Sequence, residues 1–466
     1  MSLTNQMKWA RHSAVFDGSS SIGWSGPAIA ACSIVTGIAI FWLAASPTAL
    51  LIPVVAIATL ACLLIWPELG LALYVVVGDV KGDDRVASLL PFDFTLLLGA
   101  IVVAGIALNF LRKRRLVPIP PSYFLFVVLV RLMAASLTYT PVFDAGLEKF
   151  VRFLTVTGLV IVAPFAVLDT PKAFKRFLAA FGTAAFAICA WSLSDLGGSE
   201  RLVTPSSNTI GLGHIACALI FLIWFAVIAR SPFPRRMLAY LLLIVPALAL
   251  VGSGSRGPAI ACGVVILISV FFMQRLWIDL LFFALLGLVA LPFAGIPETA
   301  LGYLGTLGNS PNAAALLGFR GDLLSQAWSL FQQHPLFGVG LQGFSYASPN
   351  PALYNWPHNI FLELASELGI VAVLAAATLF ACAIWESLRQ LRNAYSPYFT
   401  FSQLAGALLL SGIMNATNTG DINSDRSTWL FVSLVFVIRG FALQNAENPG
   451  VPVQLGHRSA ELAATR

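Results

Sequence analysis

Apolar runs of about 17–25 residues recur along nearly the whole chain, broken by proline, glycine and small basic clusters. A helix rises about 1.5 Å per residue, so a run of this length crosses a hydrocarbon core about 30 Å thick. The alternating pattern of an outer-membrane barrel strand is missing. Composition points the same way. Of the 466 residues, 58% are hydrophobic and 10% charged, against about 25% charged in a soluble domain. The chain therefore reads as an all-α polytopic membrane protein. Its net charge of +6 is spread over short connections, so it reports topology and not nucleic-acid binding.

Spans fall near 27–45, 48–66, 67–78, 92–111, 121–137, 147–168, 174–195, 211–229, 236–252, 257–273, 277–293, 359–386, 398–416 and 427–443. The count is about 12–14, because the third is short and several abut. With fourteen, basic clusters at Lys8/Arg11, Arg112–Arg115, Lys172/Lys175/Arg176, Arg230/Arg235/Arg236, Arg275, Arg389/Arg392 and Arg439 all fall on one side. The positive-inside rule makes that side cytoplasmic and puts both termini there. Residues 1–26 form a polar cytoplasmic segment without a signal peptide's cleavage site, so the first span reads as a retained anchor. Residues 27–443 are the membrane domain and 444–466 a cytoplasmic tail. All six cysteines lie within apolar spans without metal-ligand spacing, as small core residues do.

The opposite face receives 79–91, 138–146, 196–210, 253–256, 294–358 and 417–426. One of these, 294–358, is far longer than a linker needs to be, and loops beyond about 12–15 residues are usually functional or disordered. Within it Arg320–His334 has helical periodicity: Leu323, Leu324, Ala327, Trp328, Leu330 and Phe331 oppose Asp322, Gln326, Ser329 and Gln333. Pro335 ends the helix, and Gly338, Gly340 and Gly343 supply turn chemistry. The helix is expected to lie on the membrane surface or cap a cavity. Arg320 at its start faces a terminus that is already partly positive, which favours an anionic ligand beside it.

Other candidate residues gather on the same face. Gly252-Ser253-Gly254-Ser255-Arg256-Gly257 joins two spans and lacks the Gly-Lys-Ser/Thr ending of a nucleotide loop. Its backbone N–H groups and the Arg256 guanidinium suit a phosphate or diphosphate; it reads equally as a hairpin turn whose arginine meets lipid head groups. His358 opens a span, with Asn359, Glu363 and Glu367 following on one helical face. Carboxylates that deep face a wet cavity or a partner, and a histidine there serves as a base near neutral pH. Arg201 is a further cation of this face, and Lys149 and Arg152 either pair with Glu148 or face the cavity. Asp79, Asp83, Asp84, Asp421 and Asp425 lack the compact spacing a divalent cation wants, so no metal or cofactor is expected and arginines would neutralise a leaving phosphate instead.

Taken together, Gly-Ser-Arg-Gly at 254–257, Arg320…Trp328…His334-Pro335-Leu336-Phe337-Gly338-Val339-Gly340, and His358-Asn359…Glu367-Leu368-Gly369 resemble the O-antigen ligase and polysaccharide polymerase family. The likeness covers about residues 205–420; the first 200 match only as a succession of spans. It implies a C-type glycosyltransferase-like helical fold whose long periplasmic loop caps a cavity in a bacterial inner membrane. It implies metal-independent, inverting transfer of a glycan from undecaprenyl diphosphate to an acceptor hydroxyl. Arg256 and Arg320 would hold the diphosphate and His358 would activate or position the acceptor. Arg201, Asn359 and Glu363 would bind substrate, Arg201 matching less well because Leu202–Asn208 is only loosely family-like. The acceptor is expected to be lipid A–core, as in a ligase, or a growing O-antigen or exopolysaccharide repeat, as in a polymerase. A transporter of lipid-linked sugars is the reading from another class, but no internal repeat is seen and the charges cluster at one face.

Overall fold

A computed structural model describes residues 51–80, 93–112, 116–198, 200–228, 233–272, 311–348 and 356–447, with isolated positions between 277 and 285. The expected spans at 27–45 and 277–293, the segments 1–26 and 294–310, and the tail from 448 lie outside these residues. The described chain is helical, with no strand among the described residues. Seven helices are long and apolar enough to cross a membrane: Phe94–Leu111, Phe143–Val167, Pro171–Asp195, Thr209–Ala226, Ile360–Leu391, Phe399–Asn418 and Arg426–Asn445. Shorter apolar helices cover Pro121–Ser136, Arg236–Gly252 and Arg256–Phe271. The two expected spans at 48–66 and 67–78 are helices Leu51–Ile65 and Pro67–Val76; Ala58–Ile65 and Pro67–Asp79 meet at 106°. Pro67 cannot donate a backbone N–H and so ends the first helix and starts the second.

Arg426–Glu447 runs through the centre of the packing. Trp429 is fully buried between Phe153 and Phe380. Ser433 ties three helices together, sharing a 2.7 Å hydrogen bond with the Tyr123 hydroxyl and donating to the Ile161 carbonyl at 2.9 Å. Ion pairs and hydrogen bonds tie distant connections together. Glu68 pairs with Arg176, Asn109 Nδ2 donates to the Ala166 carbonyl, and Glu386 lies near Arg389 and Arg439. Lys149 links Glu363 and Asn423, while Arg201 meets Ser253 and Thr140 meets Leu341.

The long insertion contributes helix Pro311–Gln333. It begins nine residues before Arg320, so Arg320 sits inside the helix and not at its positive end; the dipole reason for an anion there does not hold. Leu323 and Ala327 are buried with Phe344, and Leu330 and Leu362 pack on them. Leu324 and Trp328, expected on the same stripe, are largely exposed, so the apolar face is wider than the face that packs.

Candidate active site

The helix Ile360–Leu391 is interrupted at Gly369, whose φ of 77° and ψ of −173° are non-helical. A break leaves backbone donors and acceptors unpaired, which is costly where water is absent. The insertion supplies the partners. Val339 N–H donates to the Ser366 carbonyl and Gly340 N–H to the Glu367 carbonyl, each at 2.9 Å, while Ile370 N–H donates to the Pro335 carbonyl at 2.9 Å. The approach is so close that a Cβ on Gly338 would overlap the Glu367 carbonyl carbon, and one on Gly369 the Leu336 carbonyl. Gly338 and Gly340 also have positive φ, which glycine alone adopts without strain. The Pro-Leu-Phe-Gly-Val-Gly segment is thus a backbone clasp over the broken helix. The Tyr139 hydroxyl and the Thr140 hydroxyl fix its other edge, donating to the Phe337 and Leu341 carbonyls at 2.6 Å.

The short half-helix before the break carries Glu363 and Glu367, both almost fully buried. Lys149 Nζ lies 2.6 Å from Glu363 Oε1 and 2.7 Å from Glu367 Oε2. Glu363 Oε2 accepts the Ile422 N–H at 2.9 Å, and Asn423 Nδ2 donates to the Lys149 carbonyl at 3.2 Å. Directly after Arg152 the helix widens into a π-turn, Phe153–Thr157, an irregularity common at functional sites. Lys149 therefore pairs with Glu363 and Glu367 and not with Glu148. It holds together the broken helix, the Phe143–Arg152 helix and the 419–425 connection. Asp425 is buried beside this network with Oδ2 unpartnered, and burial, then the Asp421 and Glu363 charges, push its carboxyl well above the usual range.

His358 and Asn359 precede that half-helix. Asn359 caps it, its Oδ1 accepting from Phe361 N–H and Leu362 N–H at 3.0 Å, while Nδ2 donates to the Thr417 carbonyl at 2.9 Å. The cap docks the helix start on the C-terminal end of Phe399–Asn418 and fixes His358 above it. His358 has a φ of 56°, an uncommon conformation for such a residue and one found at sites the surroundings over-determine. Its Nδ1 accepts from Trp356 Nε1–H at 3.2 Å. Accepting at Nδ1 leaves the proton of the neutral ring on Nε2.

The 252–257 turn reaches the same place from a different helix pair. Gly257 faces Asn415, Asn418 and Thr419, so Arg256–Phe272 starts against the helix end on which His358 is docked. Arg201 secures the turn, with Nε donating to the Ser253 carbonyl at 2.7 Å and Nη2 to Ser255 Oγ at 3.2 Å. The backbone N–H groups of Ser253, Gly254 and Ser255 are consumed within it, bonded to the Ala249 carbonyl, the Val251 carbonyl and Ser253 Oγ. These three amides are thus not available to an anion, which would meet the Arg256 guanidinium and the start of the helix it opens. The charge of Arg256 acts on Arg320, which burial and this neighbour together push below its ordinary value. Arg320 acts in turn on His358, whose imidazole is pushed down by burial first and that cation second. Residues far apart in the chain thus form one electrostatic group.

An open cleft of about 710 Å³ adjoins it, lined by Glu148, Lys149, Arg152, Gln342, Trp356, Asp421 and Asn423 among others. Glu363 lines it too, with both oxygens already committed to Lys149 and Ile422. Residues 240–377 match the family model described as O-Antigen ligase. That segment of this helical membrane protein is O-antigen ligase-like. No curated protein matches the chain. The matched segment contains the turn, Arg256, Arg320, the clasp, His358 and the break at Gly369; Arg201, Lys149 and the 419–425 connection lie outside it.

Only part of the site carries a sequence signal. Lys149–Glu367 spans 218 residues, and no local pattern encodes such a pairing. Trp356 has a signal, since Trp356-Pro357-His358 places an indole two residues from the imidazole, but the hydrogen bond depends on the left-handed turn at His358.

Proposed function

We propose that the chain transfers a glycan from undecaprenyl diphosphate to a hydroxyl of a lipid A–core acceptor, at the periplasmic face of a bacterial inner membrane. The observation that supports this most is the convergence of Arg256, Arg320 and His358 from three separate elements. Two neighbouring guanidiniums suit a diphosphate, which accepts paired hydrogen bonds from a planar fork. The acceptor oxygen attacks the anomeric carbon as the bond from that carbon to the diphosphate oxygen breaks. The diphosphate leaves with the electron pair, stabilised by Arg256 and Arg320, and His358 takes the hydroxyl proton through Nδ1. Attack opposite the leaving group inverts the anomeric centre. The diphosphate itself energises the donor, so no nucleotide and no metal enters the scheme. Arg201 binds indirectly, by setting the turn that presents Arg256. Asn359 and Glu363 act one step behind the substrate, holding His358 and Lys149 in place.

The ligase reading is preferred to a repeat-unit polymerase because one large polar insertion dominates this face. Purified protein given a lipid-diphosphate glycan, with either lipid A–core or further donor as acceptor, tests it. Glycan on lipid A–core is expected. Elongated donor instead makes the chain a polymerase, and no product with either overturns transfer.

A further inference from the structure

The hydrogen bond from Trp356 to His358 occupies the lone pair that the transfer scheme needs. The ring's other nitrogen then carries the proton of the neutral imidazole, so neither is free to take one in this arrangement. The indole and imidazole meet edge to face with centroids 5.4 Å apart. Trp356 also forms a wall of the 710 Å³ cleft, so anything that fills the cleft meets it.

The cleft differs from the arginine group beside it. Lys149 and Glu363 in its floor neutralise each other, and at its mouth Glu148 accompanies Arg152. Asp421 oxygens accept from Asn423 N–H, Ser424 N–H and the Ser424 hydroxyl. Gln342 enters from a left-handed backbone position, φ 62°, with no side-chain hydrogen bond among the described residues. An aromatic wall, an uncommitted amide and charges of both signs suit an uncharged, hydroxyl-rich ring better than a diphosphate.

Resting on the transfer reading above, we infer that this cleft takes the acceptor sugar and that Trp356 guards the base until the sugar arrives. While the cleft is empty the indole N–H holds His358 Nδ1. A sugar entering against Trp356 displaces that contact and brings its own hydroxyl to the vacated lone pair. The guard protects the donor from water. Were the base free without acceptor, a water oxygen would bond to the anomeric carbon, the carbon–diphosphate bond would break with its electrons on the diphosphate, and the water proton would pass to His358 Nδ1. The glycan would then be lost as free sugar.

Trp356→Phe keeps the aromatic wall and removes the N–H. In purified full-length protein given donor without acceptor, it is expected to release free glycan at least about tenfold faster than wild type, within the range a freed general base supplies. His358→Ala in the same background should abolish the gain. Gln342→Ala should raise the acceptor KM and leave the donor KM unchanged. Carbethoxylation of His358, followed by mass spectrometry, reads the guard without turnover and should quicken in Trp356→Phe. If wild type transfers normally but Trp356→Phe neither hydrolyses donor faster nor exposes His358 to the reagent, the guard is refuted and the transfer reading survives. A rise in donor KM for Gln342→Ala would refute the assignment of the cleft to the acceptor. If wild type does not transfer, the transfer reading fails by itself, and unchanged labelling would still refute the guard.

Discussion

Two groups of cations lie at the same end of this molecule and solve opposite problems. Lys149 is buried against two carboxylates at 2.6 and 2.7 Å, with the Ile422 N–H taking up the second Glu363 oxygen. Its charge is cancelled inside the protein, and its task is to fasten a broken helix to its neighbours. Arg320 instead is pushed below its usual value, by burial first and by the neighbouring Arg256 charge second. Like charges brought together cost free energy unless an anion joins them. A cation at a membrane surface therefore points to a ligand only when the protein has not already neutralised it.

The largest effect expected is on His358. His358→Ala should lower transfer by about 10²–10⁴-fold, the usual range for a general base, while donor binding and thermal stability stay near wild type. The rate profile carries a further mark. Burial and the Arg320 charge push the imidazole below its ordinary value, so it stays unprotonated at neutral pH. The rate should fall only as pH drops below about 6.5, the unperturbed histidine value. An acid limb above that value would contradict the environment described.

Lys149→Met should separate the two groups most clearly. It leaves Glu363 and Glu367 buried without their counter-charge, at a cost of about 3–5 kcal/mol for a broken buried pair. Melting in detergent should show a large loss of stability. The triple variant Lys149→Met, Glu363→Gln, Glu367→Gln should recover much of it, since removing the whole set is often near neutral. If Lys149→Met instead melts like wild type and loses only donor affinity, Lys149 belongs with the arginines and the contrast fails.

Arg320 is expected to behave in the opposite way. Arg320→Ala should leave the melting temperature nearly unchanged and weaken donor binding by about tenfold or more, the loss of a charge-assisted hydrogen bond of about 1.5–3 kcal/mol. Arg320→Lys should rescue poorly, because an ammonium lacks the fork. Removing the neighbouring charge also lets the His358 value rise, so the acid limb in Arg320→Ala should move to higher pH. A limb that stays where it is in wild type would mean that Arg320 does not act on the base.

How much of this was legible in the sequence follows from which contacts are local. The membrane-crossing helices were, because run length is a property of neighbouring residues. Asn359 sits where a helix cap belongs, and its cap bonds reach two and three residues onward. By contrast, the break at Gly369 gives no sign in a continuous apolar run. The glycines of the clasp read as turn residues, although their purpose is to let two backbones meet. Arg320 was misplaced at a helix start because the preceding residues, Pro311–Phe319, carry too little amphipathic pattern to extend the helix by reading alone. Sequence also does not say which N–H groups a turn consumes, as Ser253, Gly254 and Ser255 do here.

The smallest effect expected separates holding from binding within a single residue. The side chain of Asn359 is engaged by the protein itself: its Oδ1 caps the half-helix and its Nδ2 reaches the Thr417 carbonyl. Asn359→Ala should therefore cost about 0.5–2 kcal/mol of stability, the range for a lost cap, and Asn359→Asp should restore the cap while losing the amide donor. Neither should raise the donor KM, because neither touches the arginines. Transfer should fall in proportion to how far His358 drifts from the end of Phe399–Asn418, which the carbethoxylation rate of His358 would follow. A raised donor KM with normal melting would instead put Asn359 in contact with substrate, and move the boundary between the fastening group and the binding group to the helix cap itself.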